Sequence, residues 1–281
     1  MRTSSPPAAV LRQLLALRRR LAADAVRDAE HEAAVTGLTA LEFADAGLVP
    51  FDPKLHILVA RGFDGRRIPG VRYERTRRPP EPLPLRLPPT APYARAVVDA
   101  CRRLAREQDA RSVVLGSVRT RLCDPAAIAA ECERLPARER TRLAPLLAEA
   151  RVGLRSVPEA DLRRAITRSE LPEPLWNPHV SARDGAFLGR PDALWPDEGV
   201  AAEVDSVVHH GSPRDQARTA ARRARLEAAG LLVLPVLPRE IRDEPRRVVA
   251  LLRDTLRRAG AETAAGGRTA HRALVVQHAM W

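Results

Sequence analysis

GRPDALWPDEGVAAEVDSVVHH, residues 189–210, is the stretch on which the fold of this 281-residue chain turns. It reads as strand, tight turn, strand. Leu188 to Trp195 is apolar apart from Arg190 and Asp192. Pro196-Asp197-Glu198-Gly199 has the composition of a turn. Val200 to Asp205 is a second short strand, rich in Ala and Val. Side chains alternate along a strand, so Glu203 and Asp205 share a face. Asp192 sits on the neighbouring strand and can approach them across the hairpin. Buried carboxylates are costly unless they pair or hold a metal. Two readings follow. The acids form an oxygen-ligand site for a divalent cation, or one or more of them pair with arginines.

Outward from this hairpin, composition bounds the rest. Hydrophobic residues make up 45% of the chain and aromatics only 3%, so the core is built from Leu, Val and Ala. The net charge of +12 suits an anionic partner such as nucleic acid. Lys54 is the only lysine, so that charge is carried almost wholly by arginine. The cysteines are Cys101, Cys123 and Cys132. Their odd number and the lack of CxxC spacing suggest neither a disulfide framework nor a zinc site, which fits a reducing cytoplasm. There is no run of 18 apolar residues to span a membrane. The charges of the first twenty residues are misplaced for a secretory signal.

Downstream of the hairpin, Gly211-Ser212-Pro213 starts a helix that Gly230 ends. Ala217, Ala221, Ala224 and Ala228 line one face, small enough to pack on a sheet. Arg214, Arg218, Arg222 and Arg225 line another and could neutralise phosphates or form a solvated face. Leu231 to Val236 is a continuous apolar run, a buried strand. The helix between it and the Val200 strand implies a parallel pair. Arg239 to Arg258 reads as a final helix, and residues 259–281 look loose.

Upstream, Ser156-Val157-Pro158-Glu159 is a capping box with proline at the first helical position. Glu159 could also lie over the carboxylate cluster as a fourth acid. Residues 175–180, LWNPHV, look like an edge strand. Residues 93–150 read as helices carrying no evident chemistry, and 79–92 as a proline-rich extended segment. Residues 55–76 read as a β-hairpin around Asp64-Gly65, with Arg61, Arg66 and Arg67 at its tip, either against a phosphate backbone or solvated. Leu38–Leu48 reads as a short helix with Thr39 as its N-cap. Residues 8–35 read as an amphipathic helix with Val10, Leu11, Leu14, Leu17 and Leu21 at helical spacing, a core face or a partner surface.

The order of elements after residue 156, with an acid on the second strand and an acid pair on the third, resembles the restriction-endonuclease fold of the PD-(D/E)xK superfamily. Pro191-Asp192 and Glu203-Val204-Asp205 carry the resemblance. More narrowly, Asp192, Pro196, Glu203, Asp205, His209, Gly230 and Val233 are similar to the pattern of Vsr-related endonuclease-like domains. Residues 37–150 resemble the middle portion of abortive-infection, type IV antitoxin-like regulators. The chain departs from the nuclease pattern at Ser206, near Thr219 and at Pro235.

The resemblance implies an α/β protein. A mostly helical region with a β-hairpin (1–150) precedes a restriction-endonuclease-like core, a mixed sheet flanked by helices (151–260), and a tail (261–281). It implies Mg²⁺ or Mn²⁺ held by Asp192, Glu203 and Asp205. No lysine is available for the usual motif position, which Asp205 occupies. His209, with His210 as a weaker alternative, would orient water or protonate the leaving oxygen. Arg214, Arg218 and Arg222 would contact DNA. Two function classes stand side by side: a metal-dependent DNA endonuclease of repair or defence character, and a non-catalytic DNA-binding, antitoxin-like regulator with a decayed nuclease domain. A toxin-like protein or a second copy of the chain is a further possible partner. A membrane is not expected.

Overall fold

The computed structural model describes residues 8–29, 33–45, 47–65, 68–84, 86–205, 213–267 and 270–277. The chain is α/β and divides into two units, Met1–Ala148 and Glu149–Trp281.

The first unit opens with α1 (Ala8–Asp28), β1 (Ala34–Val35), α2 (Gly37–Ala44), β2 (Leu55–Ala60) and β3 (Val71–Thr76). Helices α3 (Tyr93–Arg103), α4 (Glu107–Arg119) and α5 (Pro125–Cys132) follow, and α6 (Ala137–Arg151) runs across the division. Helix α1 stops seven residues short of the expected 35, because Ala34–Val35 pairs with β2. Its stripe of Val10, Leu11, Leu14 and Leu17 faces outward, and Arg18, Ala22, Ala25 and Val26 are buried. Thr36, not Thr39, is the N-cap of α2; Thr39 instead accepts a bond from the His56 backbone N–H at 2.9 Å.

The expected hairpin at 55–76 is corrected. Strands β2 and β3 pair in parallel, from Leu55↔Val71 to Ala60↔Thr76. The intervening chain returns to the start of β2, where the Leu55 N–H donates to the Gly70 carbonyl at 2.8 Å. Gly70 has φ +80°, which the return requires and which L side chains rarely adopt. The Phe63 and Tyr73 rings, 5.0 Å apart, and a bond from Arg75 to the Phe63 carbonyl fasten the loop. The physical reason lies in β2. It is buried along nearly its whole length, between β1 and β3, as a continuous apolar run in a parallel pairing should be. Arg66 and Arg67 of the expected basic tip lie outside the described residues.

The second unit continues with α7 (Val157–Thr167), β4 (Leu175–Trp176), β5 (His179–Ser181), β6 (Phe187–Gly189), β7 (Ala193–Trp195) and β8 (Val200–Val204). Then come α8 (Pro213–Ala228), β9 (Leu232–Val236), α9 (Pro238–Asp243), α10 (Pro245–Ala264), a short 3₁₀ turn (Ala270–Ala273) and β10 (Val275–Gln277). The principal sheet has the order β4-β7-β8-β9. Strands β7 and β8 are antiparallel, and β8 and β9 parallel across the α8 crossover, as the connection length demands. Pro235 is tolerated because β9 is an edge strand. A second sheet, β10-β5-β6, shares a core with the first through Val180, Leu194, Ala201, Leu226, Leu231 and Val233.

Several sequence-based boundaries are corrected here. LWNPHV is not one edge strand. Asn177, at φ +48°, and Pro178 break it into β4 and β5 of different sheets. Likewise Arg190-Pro191-Asp192 separates β6 from β7, so Leu188 and Trp195 do not share a strand. Pro245 divides the expected final helix into α9 and α10, since an interior proline cannot donate to the helix. The expected loose tail carries the end of α10 and contributes β10, which pairs with β5. On α8 the alanine face is exposed, and the inward side chains are Leu226, Arg222 and Arg223.

Candidate active site on the central hairpin

The turn of the hairpin sets its register. Gly199 has φ +63°, and the His271 ring lies where a β-carbon would stand, 2.5 Å from its nearest ring atom. Ala193 pairs with Ala202, and continuing that register one step sets Asp192 opposite Glu203. The Asp192 carboxylate accepts the Val204 N–H at 2.7 Å, which ties the start of β7 to the end of β8.

Glu203 is 1% exposed and faces two guanidiniums of α8. Arg222 Nε lies 2.9 Å from Oε1, and Arg223 Nε 3.7 Å from Oε2. Neither contact has hydrogen-bond geometry, so both carboxylate oxygens are buried with charge attraction but no directed bond. Arg223 also reaches Asp205 through Nη2 at 3.3 Å. One arginine thus spans Glu203 and Asp205, as the shared strand face requires.

Glu159, 5% exposed, stands at the start of α7. It accepts bonds from the Arg155 N–H at 2.9 Å, Ser156 Oγ at 2.7 Å and Asn177 Nδ2 at 2.6 Å. The expected capping box is displaced by one residue: the glutamate bonds to Arg155 N–H, and Pro158 is the second helical residue. Asn177 joins Glu159 to the hairpin, because its own N–H donates to the Asp192 carbonyl at 3.0 Å. Burial pushes the Asp192 carboxyl well above the ordinary carboxylate value, and repulsion from Glu159 adds to it. The Val204 N–H and Arg222 act against that rise.

Four acids therefore gather in one neighbourhood: Glu159, Asp192, Glu203 and Asp205. Arg222 and Arg223 face Glu203, Arg223 also reaches Asp205, and the charge of Arg222 acts on Asp192. Arg218 is exposed, and the side chain of Arg214 lies outside the described residues, as do His209 and His210. The sequence reading missed Arg223 and Asn177. Arg223 could have been found from the stripe Thr219, Arg222, Arg223, Leu226, whose only large apolar member marks the inward side of α8.

As a donor set, the acids suit a hard divalent cation: oxygen atoms only, Glu203 and Asp205 from one strand face, with neither Glu203 oxygen hydrogen-bonded. Among the described residues no three His, Cys, Asp or Glu side chains converge closely enough to form a metal-ligand group. No described helix is long and apolar enough to cross a membrane.

Two proteins of Mycobacterium tuberculosis are similar over a short stretch: "Uncharacterized protein MT2308" of strain CDC 1551 / Oshkosh and "Uncharacterized protein Rv2248" of strain ATCC 25618 / H37Rv. Each is 35% identical over 75 residues, 27% of this chain. The match spans only 28% of the length of either relative. No protein-family model and no solved structure matches the chain.

Proposed function

We propose that the second unit is a restriction-endonuclease-like domain and that the protein is a metal-dependent DNA endonuclease. The observation that carries this reading is the linkage of four carboxylates around the hairpin. Glu159 and Glu203 both raise the Asp192 pKa, and Glu203 and Asp205 share Arg223. Burial and Glu159 both oppose the ionisation of Asp192, the kind of perturbed carboxyl that gathers at functional sites. The order of α7, the β7–β8 hairpin, α8 and parallel β9 supports the fold assignment.

Asp192, Glu203 and Asp205 are the residues that would hold Mg²⁺ or Mn²⁺. Bound there, the ion would polarise a phosphoryl oxygen and make a hydroxide available at neutral pH. Asp192 must lose its proton to serve as a ligand, so cation affinity should rise with pH through its elevated pKa. Glu159 and Asn177 hold the strand entry that carries Asp192. His209, shortly after Asp205, is the candidate to protonate the leaving oxygen.

The test is nicking of supercoiled plasmid with Mg²⁺ or Mn²⁺, beside calorimetric titration of each ion. Asp192→Ala and Glu203→Ala should abolish nicking, and His209→Ala should slow it while the ion still binds. Wild-type protein that neither binds the ions nor nicks DNA rejects the endonuclease. The second reading, a DNA-binding antitoxin-like regulator with a decayed nuclease domain, would then stand. The observation favouring it is that Arg222 and Arg223 already face Glu203 and Asp205.

A further inference from the structure

Away from the hairpin, α7, α9 and α10 enclose a groove of about 870 Å³ that shares no lining residue with the acid cluster. Its floor is apolar: Ile241 and Val249 are 3% and 8% exposed. Its walls carry five arginines, Arg164, Arg168, Arg242, Arg246 and Arg253, against two acids, Asp161 and Glu170. Two of the five are internally neutralised. Arg164 pairs with Asp161 at 3.4 Å and with Glu149 at 3.6 Å. Arg242 pairs with Asp243 at 2.8 Å. Arg168, Arg246 and Arg253 have no carboxylate partner among the described residues.

Arg253 is the most telling of the three. It is half-buried on α10, so part of its hydration is lost without an anion to replace it. Three unpaired forks around one apolar-floored groove favour a ligand with several closely spaced anionic oxygens. Guanidinium geometry matches phosphate bidentately. No aromatic side chain lines the groove, so stacking of unpaired bases has no platform there. The net charge of +12 draws a long polyanion toward the chain from a distance.

We propose that this groove is a phosphodiester-binding surface for duplex nucleic acid, with Arg168, Arg246 and Arg253 as its contacts. It rests on the nucleic-acid partner proposed above, but not on the acid cluster or on catalysis. It would add phosphate contacts to those of the α8 stripe, in which Arg222 is turned toward Glu203.

The experiment is fluorescence anisotropy of labelled duplex DNA with the full chain over a salt series. The variants are Arg168→Glu/Arg246→Glu/Arg253→Glu, the milder triple alanine, and Arg257→Glu, an exposed arginine of α10 outside the groove. Circular dichroism and thermal melting verify that each variant is folded. The triple alanine should lose about tenfold or more in affinity near ~100 mM salt, and its salt slope should fall by about 3. Arg257→Glu should change the affinity less than about threefold. If wild type binds DNA and both triple variants bind equally well, the groove is overturned and DNA binding stands. If wild type binds a polyglutamate peptide and no DNA at low salt, the phosphodiester assignment falls, and the nucleic-acid partner falls with it.

Discussion

Asp192 is the carboxyl group on which several of the hairpin's contacts converge. It accepts a backbone bond from Val204, stands opposite Glu203 by register and feels the charge of Glu159. Its pKa in the folded chain lies well above the ordinary 3.8. The folded state therefore holds this proton more tightly than the unfolded state does. The stability that this confers is complete below about 3.8 and is lost as pH rises through the elevated folded value. Asp192→Asn keeps an oxygen for the Val204 N–H but cannot ionise. It should melt at the wild-type temperature near pH 4 and a few degrees higher at pH 8, as read by scanning calorimetry at both. A wild-type advantage at pH 8 would contradict the raised pKa. On the proposed endonuclease reading the same variant should be inactive in nicking, a gain in stability at the expense of that activity.

Among the elements, the contact between β8 and α8 decides how the acid face is neutralised. Glu203 is 1% exposed, whereas Arg222 and Arg223 are 36% and 24% exposed. The two sides of the clamp are therefore unequal. Glu203→Gln releases arginines that can turn toward water, and should cost about 1 kcal/mol or less. Arg222→Met/Arg223→Met strands a buried carboxylate, and should cost about 3 kcal/mol at neutral pH. Urea unfolding of the two variants gives the comparison, and equal losses would mean that Glu203 is not held by these arginines. Helix α8 also explains a misreading of the sequence. Its alanines suggested a packing face, yet Leu226 carries the buried contact and the alanines face outward. Hydrophobicity alone separates the two faces poorly when one large apolar residue anchors the whole helix.

At the scale of the molecule, burial governs the thiols. All three cysteines lie in the first unit and are free. Burial pushes Cys101 and Cys123 up to about 12 and Cys132 up to about 11. A raised thiol pKa means little thiolate near neutrality, so all three thiols should react slowly. Iodoacetamide at pH 7.5 should leave the native chain nearly unlabelled, and in denaturant it should modify all three positions by mass spectrometry. Rapid native labelling of Cys101 would show that α3 opens, since that thiol is fully buried there.

The local pattern of the sequence was enough to determine the central hairpin, the common face of Glu203 and Asp205, the Ser156 cap of α7 and the parallel return to β9. Each follows from side-chain alternation, turn chemistry or crossover length, which act over a few residues or along one connection. Tertiary structure alone decided the rest. It set β2 and β3 in parallel, because burial of β2 on both sides outweighed the Asp64-Gly65 turn signal. It broke the strands at Asn177 and at Arg190-Pro191-Asp192, because their two halves pair in different sheets. It also set Arg222 and Arg223 against Glu203 and Asp205. Charge pairing depends on what lies across a gap in space, and in an arginine-rich chain the sequence offers many equivalent partners.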